Sequence, residues 1–452
     1  MKQLSSKKYE IDMTSGPLLS KLLVFSLPLI ASGILQLLFN TADVIVVGRF
    51  AGSEPLAAVG STSSLTNLLT NLFIGLSVGA NVVAANYYGA KKDKEISETV
   101  HTAVGISILA GLILAILGIS LAKPMLTLMG TPDDVINHSV LYMRIYFMGM
   151  PVMMLYNFGS AILRAVGDTR RPLYYLTAGG AVNVVLNLIF VIVFKMGVAG
   201  VALATVASQL IASVMVTKCL IEANSAIKLD IKKIKIHPHI LSKIVKIGIP
   251  AGVQGMLFSL SNVVIQSSVN SFGSVAMAGN TAGQNIEGFV YTAMNSIAQT
   301  AISFVGQNFG AKDMRRVRRV AIECMCIVTV VGLMLGNLAV VFSKPLIGLY
   351  SVEPEVVRFG MNRLKVICTA YCLCGMMDTL VGCLRGMGHA VVPTVISLLG
   401  ACALRIIYIL TLFQAHKSLT NLYLTYPVSW FITGMAQLVY LVIVYRRHKA
   451  EF

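Results

Sequence analysis

The apolar stretch from Leu22 to Gly48 carries three polar side chains, Gln36, Asn40 and Asp43. Steps of four and three residues return to nearly the same face of a helix, so the three form one polar stripe. A carboxylate in a hydrocarbon layer is costly unless it faces a wet cavity or a partner, and such acids are usually kept for ion or proton transfer. Interhelical hydrogen bonding accounts for Gln36 and Asn40 taken alone. For Asp43 transport work is the better reading. Pro28 lies in the same stretch; it removes one backbone hydrogen bond and sets a weak point where the helix can bend. Asn183 and Asn187, one turn apart in a later apolar run, and Thr205 in the next, add oxygens. With Asp43 they can surround a small cation or stabilise the two protonation states of the acid; any single asparagine, by itself, reads as interhelical glue. In the second half Gln284, Glu287, Tyr291 and Asn295 recur at helical spacing. Glu287 is a second intramembrane acid and Asp378 a third, with Arg405 a candidate ion-pair partner for Asp378. No base lies near Glu287 in its own run. It is therefore expected to tune substrate handling and to attract cations, in a cavity shared with Gln36, Asn40, Gln284 and Asp378.

The elements that position these groups must be membrane helices. The chain has 452 residues, 56% hydrophobic and only 12% charged, which no soluble domain of this length requires. Apolar runs of about twenty residues recur throughout, the length of a helical span and not of a barrel strand. They predict spans at 22–48, 62–88, 99–121, 139–163, 173–194, 199–222, 247–270, 281–307, 319–342, 359–384, 391–414 and 422–445. The polar, lysine-bearing start lacks the short apolar core and small-residue cleavage site of a signal peptide, so the first span is expected to be retained. The net charge of +17 does not point to nucleic acid. Lys91, Lys92 and Lys94, Arg164, Arg170 and Arg171, the lysines of 228–246, Arg315 to Arg319 and the tail Arg446 to Lys449 fall in alternate loops. That is the positive-inside pattern, and it places both ends of the chain in the cytoplasm. The cysteines lie mostly inside apolar runs without metal-finger spacing and read as small buried residues.

The two halves repeat. Gly89-Ala-Lys-Lys-Asp93 answers Gly310-Ala-Lys-Asp313, Leu163-Arg-Ala-Val-Gly167 answers Leu384-Arg-Gly-Met-Gly388, and Pro28 answers Pro250, at a near-constant offset of about 221 residues. These loop motifs read as helix C-caps followed by basic anchors. Six spans per half give both halves the same topology. The expected fold is an all-α integral membrane protein with twelve transmembrane helices in two six-helix bundles related by a pseudo-twofold axis along the membrane normal. The expected organisation is an amino-terminal lobe over 1–222, a cytoplasmic linker over 223–246, and a carboxy-terminal lobe with a basic tail over 247–452.

Together these residues resemble the multidrug and toxic compound extrusion (MATE) family, and its DinF-like branch in particular. The likeness covers nearly the whole chain. It rests on Pro28, Gln36 and Asp43, then Val47-Gly-Arg49, Leu56-Ala-Ala-Val-Gly60, Gly89-Ala90, Leu163-Arg164 and Gly167-Asp-Thr169. It continues through Asn183-Val-Val-Leu-Asn187, Gly197-Val-Ala-Gly200, Ala204-Thr205 and Gly306-Gln-Asn-Phe-Gly-Ala311. The resemblance implies a two-lobe antiporter, not an enzyme, that exports amphiphilic, often cationic, drugs or metabolites in exchange for protons or sodium by alternating access. It implies an ion-coupling site at Asp43, Asn183, Asn187 and Thr205. Members often carry an aspartate where this chain has Asn187, and the loss of that charge favours protons over sodium. No cofactor is expected, and no metal beyond a sodium ion at the coupling site. The expected partners are amphiphilic small molecules and the bilayer of the cell membrane, with the protein a monomer. The alternative within the same superfamily is a flippase for lipid-linked oligosaccharides, which would hold pyrophosphate with several basic cavity residues; only Arg405 reads as deep in a span. A facilitator-type sugar porter would show a Gly-x-x-x-Asp-Arg loop where this chain has Gly89 to Asp93. No His-Glu-x-x-His or Gly-x-Ser-x-Gly supports an intramembrane enzyme.

Overall fold

A chain this apolar must satisfy its backbone hydrogen bonds within each segment, and in a bilayer the helix is the way to do so. The structure, a computed structural model, describes residues 9–451 and is helical throughout its ordered elements. The first eight residues of the polar leader and the final Phe452 lie outside the described residues. Each expected span has its helix. The first three run Leu18–Phe50, Ser53–Gly89 and Asp93–Leu128. The fourth is a bent pair, Asp133–Met148 and Met150–Ala165. The fifth, Arg170–Leu188, continues as a π-helical turn, Ile189–Val193, and the sixth is Gly197–Ile221. The seventh to ninth run Pro238–Asn270, Ser274–Gly310 and Met314–Val341. The tenth is again a bent pair, Pro354–Thr369 and Tyr371–Gly386. The eleventh spans Val391–Ala415 in pieces, with a π-helical stretch at Leu398–Ala403, and the twelfth is Leu419–Glu451. Among the described residues nine helices, or eleven counting each bent pair as one, are long and apolar enough to cross a membrane. The eighth, as long as the second, falls short in apolarity because it carries Asn280, Gln284, Asn285 and Glu287.

The repeat seen in the sequence is also in the backbone. The first and seventh helices both have 33 residues, the second and eighth both 37. The fourth and tenth are each bent by 47°. The left-handed residues recur in step: Gly52 and Gly273, Lys91 and Lys312, Gly167 and Gly388. Lys91 and Lys312 close their helices in the conformation usually left to glycine. Asp313 then caps the ninth helix by accepting the Arg316 N–H at 2.9 Å. Pro151 explains the bend in the fourth helix. The tenth bends without a proline, and what the two bends share is a close neighbour. An added Cβ on Gly111 of the third helix would lie 2.3 Å from Pro151, and one on Gly332 of the ninth 2.8 Å from Cys372.

The described chain forms two compact units. One takes the residues up to Gly16 together with Leu27–Met256, the other Pro17–Ser26 with Leu257 onward. The first and seventh helices therefore change unit part-way, the first next to Pro28. The 223–246 segment packs within the first unit: Ala223, Ile227, Leu229, Ile240 and Ile244 are buried, and the Leu229 N–H donates to the Leu220 carbonyl at 2.9 Å. Also in this unit, the second and seventh helices cross through glycine. An added Cβ would lie 2.3 Å from backbone at Gly75 and at Gly79, and 2.6 and 2.2 Å from backbone at Gly248 and Gly252.

Candidate functional site

Close packing of small residues brings the amino-terminal polar residues together. Gly180 on the fifth helix leaves room for the Phe39 ring, where an added Cβ would sit 1.8 Å from Cε2. Gly179 beside it does the same for the sixth helix, 2.8 Å from the Ser208 carbonyl oxygen. Residues 180, 183 and 187 share one helix face, and Phe39 and Asp43 lie one turn apart on the first helix. Asn183 and Asn187 are thereby set against Asp43. The Asn187 amide Nδ2 donates to Asp43 Oδ1, and also to Asn183 Oδ1 at 3.2 Å. Thr205 Oγ1, from the sixth helix, faces Asp43 Oδ2 at 3.5 Å while donating to the Val201 carbonyl at 3.0 Å. Asn183 and Asn187 are buried, and Asp43 and Thr205 are partly open. Asn187 Oδ1 is buried with no hydrogen-bond partner among the described residues.

One turn beyond Asp43 the site is closed by a cluster of Val46, Val47, Val59, Val135, Val191 and Val201 with their small neighbours. β-branched side chains have little rotamer freedom, so this floor is stiff. Tyr142 packs on the cluster and stacks on Tyr146 with ring centroids 6.1 Å apart. Sequence reading missed Tyr142, because a lone tyrosine in an apolar run carries no signal of what it faces. Gln36 and Asn40 are exposed on the first helix. Pro28 sits inside the first helix, its carbonyl accepting the Ser32 hydroxyl at 2.8 Å.

The second unit holds a different polar core. Glu287, which has no base near it in its own run, is 5% exposed and paired with Arg363 of the tenth helix, Nη2 to Oε2 at 2.8 Å. The base comes from another helix. Arg363 Nη1 donates to Asn280 Oδ1 at 2.7 Å, and Tyr423 OH reaches the same oxygen at 3.2 Å. Tyr426 lies between two guanidiniums, 5.5 Å from Arg363 and 4.5 Å from Arg405. The negative ring faces let the two like charges share one aromatic. Arg405 donates from Nε to Ser429 Oγ at 2.9 Å and lies 5.9 Å from the Trp430 ring. The Asp378–Arg405 ion pair, left open by the sequence, is absent within 4 Å among the described residues. Asp378 instead meets the Tyr291 hydroxyl. Gln284 is exposed, as is Tyr291.

The MatE family model matches residues 28–189 and then again 250–411, two stretches of equal length, one in each half. The chain belongs to the MatE family. The match covers both the helix that carries Asp43 and the one that carries Asn183 and Asn187, and its doubling is the repeat described above. Curated MatE-type relatives run nearly end to end with it. Probable multidrug resistance protein YpnP of Bacillus subtilis (strain 168) is 29% identical, over 95% of this chain and 96% of its own. Probable multidrug resistance protein YoeA of the same strain is 27% identical, over 94% of each. A solved structure described as the outward-facing conformation of a multidrug resistance MATE family transporter of the MOP superfamily superposes with a TM-score of 0.90. It is 19% identical and matched over 97% of this chain and 98% of its own. The fold is therefore the twelve-helix MatE fold, and the protein is a multi-pass membrane transporter of the multidrug-efflux class, not an enzyme.

A methyl group at position 180 tests how the MatE site is set. Gly180→Ala places a carbon inside the Phe39 ring and should destabilise the protein by about 1–3 kcal/mol by overpacking. It should also move the first helix off Asn187. Thermal unfolding in detergent reads the first effect and gradient-driven export the second; a variant unchanged in both would show that this contact does not set the site.

Proposed function

We propose that this transporter exports amphiphilic small molecules, cationic ones first among them, in exchange for a cation taken at Asp43, with the proton favoured over sodium. The observation that carries the reading is the junction of Asp43, Asn187, Asn183 and Thr205 from three helices of one unit. An ionised Asp43 accepts from the Asn187 amide N–H and leaves Asn187 Oδ1 unpartnered. A neutral carboxyl has an O–H to give, and an amide turned over has an oxygen to receive it. Proton loading thus lets either end of Asn187 face the first helix, where the ionised acid accepts only the N–H end. Sodium would need several oxygens turned inward together, with one carboxylate in place of two. A coupled ion drives transport only if it favours one conformation over another. The amide reversal, with Pro28 as the weak point of the same helix, supplies such a difference.

The flippase alternative draws on several free basic residues in a cavity, and Arg363 is taken up by Glu287. The same pairing removes Glu287 as a reason for cation preference, which leaves Asp43 as its support. The deciding experiment is efflux of a fluorescent cationic dye from proteoliposomes, under an imposed pH gradient and then under a sodium gradient. Uphill export with the pH gradient alone is expected. Export driven by sodium alone would overturn the choice of proton, and export driven by neither would overturn the antiport reading.

We place the protein in the cytoplasmic membrane with both ends inside, on the distribution of lysine and arginine, and take it as a monomer. Lys94 and Lys235 are exposed. Cysteines put at Lys94 and Lys235, in a background freed of the native cysteines, should escape an impermeant thiol reagent applied to intact cells. They should react once the membrane is opened; labelling from outside would reverse the orientation.

A further inference from the structure

The loop before the seventh helix carries a cluster that transport at Asp43 does not use. Thr102 and Glu98 lie one turn apart on the same face of the third helix. Thr102 Oγ1 accepts the His237 N–H at 3.1 Å and faces the Lys235 carbonyl at 3.5 Å. One residue before Thr102, His101 Nε2 accepts the Asp230 N–H at 3.1 Å, and its Nδ1 faces the Ser97 carbonyl at 2.7 Å. Both nitrogens of His101 are thus occupied, and the connector is laid along the third helix by backbone bonds. Pro238 follows His237 as the first residue of the seventh helix, where its fixed φ suits the helix start. His237 and His239 therefore stand on either side of a rigid residue. His239 Nε2 reaches Glu98 Oε2 at 3.0 Å. One ligand atom from each of Glu98, His237 and His239 lies within 4.8 Å of the others.

We infer that Glu98, His237 and His239 form a binding site for a zinc-class divalent metal ion that clips the connector to the third helix. Two imidazoles and one carboxylate, with a place left for water, form a three-ligand set that zinc accepts. The donor set selects among metals. Glu98 and His237 border a depression of about 510 Å³ that Lys232, Lys233 and Lys235 also line. Those lysines disfavour every dication alike, so the choice falls to the ligands: one carboxylate is too few oxygens for magnesium or calcium, while imidazole nitrogen suits a zinc-class ion. The His239 side chain is 55% exposed and that of Glu98 18%, so an ion can enter from water. The competing account is a plain His239–Glu98 ion pair, with the His237 ring only packed edge-on against His239 at a centroid distance of 6.0 Å.

Tag-free full-length protein in detergent, with exposed Cys326 changed to serine, is stripped with a chelator and titrated with Zn²⁺ against a chromophoric indicator. One equivalent should bind. Glu98→Gln and His239→Gln should each weaken binding at least tenfold, the lower end of what even an outer-shell change costs a metal site, while His138→Gln leaves it unchanged. Excess Mg²⁺ should not compete. Co²⁺ in place of Zn²⁺ should give visible ligand-field bands without the near-ultraviolet bands of thiolate ligation. Zn²⁺ should also slow tryptic cleavage at Lys232, Lys233 and Lys235 in the parent protein and not in Glu98→Gln. Wild-type binding equal to that of the His237→Gln/His239→Gln protein, or thiolate bands with Co²⁺, would overturn the site. A variant that fails to fold is bypassed by the Co²⁺ spectrum and the Zn²⁺ protection of the parent protein, either of which by its absence refutes the proposal. None of these outcomes touches the efflux experiment.

Discussion

Asp43→Asn should leave a protein that inserts, folds and no longer exports uphill. The substitution keeps the size of the side chain and its ability to face Asn187 and Thr205, so the packing of Val46 and Val47 one turn on is not disturbed. It removes the one group of the cluster that can carry a charge and lose it. With no titratable partner at the site, the two loading states that bias the conformations become one, and a gradient has nothing to act on. Efflux in proteoliposomes under an imposed pH gradient should drop to the protein-free leak, while dye binding in detergent is partly kept. Uphill export at the wild-type rate would refute the coupling role. The converse change, Asn187→Asp, restores the charge that this chain lacks and should raise the dependence of export on sodium. An Asn187→Asp protein still driven by protons alone would show that the second acid does not decide the ion.

The second large effect is on stability. Glu287→Gln removes the charge that faces Arg363, whose side chain is 2% exposed. A buried guanidinium left without its carboxylate costs about 3–5 kcal/mol, much more than an exposed pair is worth. Thermal unfolding in detergent should fall sharply, and neutral and cationic substrates should lose export together. Glu287→Leu combined with Arg363→Met should recover most of the loss, because a well-packed apolar pair replaces a buried ionic one at little net cost. If Glu287→Gln unfolds like the wild type and loses only cation export, Glu287 acts on substrate and not on structure.

The fate of Glu287 shows where a sequence is readable and where it is not. Its helix, its burial in the span and its face follow from spacing. Its partner does not, because Arg363 lies near the start of the tenth span, where an arginine reads as an interfacial anchor with its head in water. Only the folded arrangement, with Tyr423 and Tyr426 stacked beside it, shows it turned inward. In the internal repeat Arg363 stands where the first half has Tyr142. The two halves share their turns, bends and helix lengths while their polar interiors have diverged, so neither half predicts the other's site. At Asp43 the reading went further, since four polar residues at helical spacing in three runs had few ways to meet. What spacing did not carry was the glycine at 180 that lets them meet, or the valine floor, for these depend on which helices are neighbours.

The glycine crossing of the second and seventh helices has one more consequence. Side chains that interlock act as teeth and hold two helices in one register. At Gly75, Gly79, Gly248 and Gly252 the closest atoms are backbone, with the Leu76 side chain reaching in only beside Gly248. Such a joint works as a seat: it fixes how close the two axes come. It also has no clearance, so a single methyl at any of the four positions would jam it.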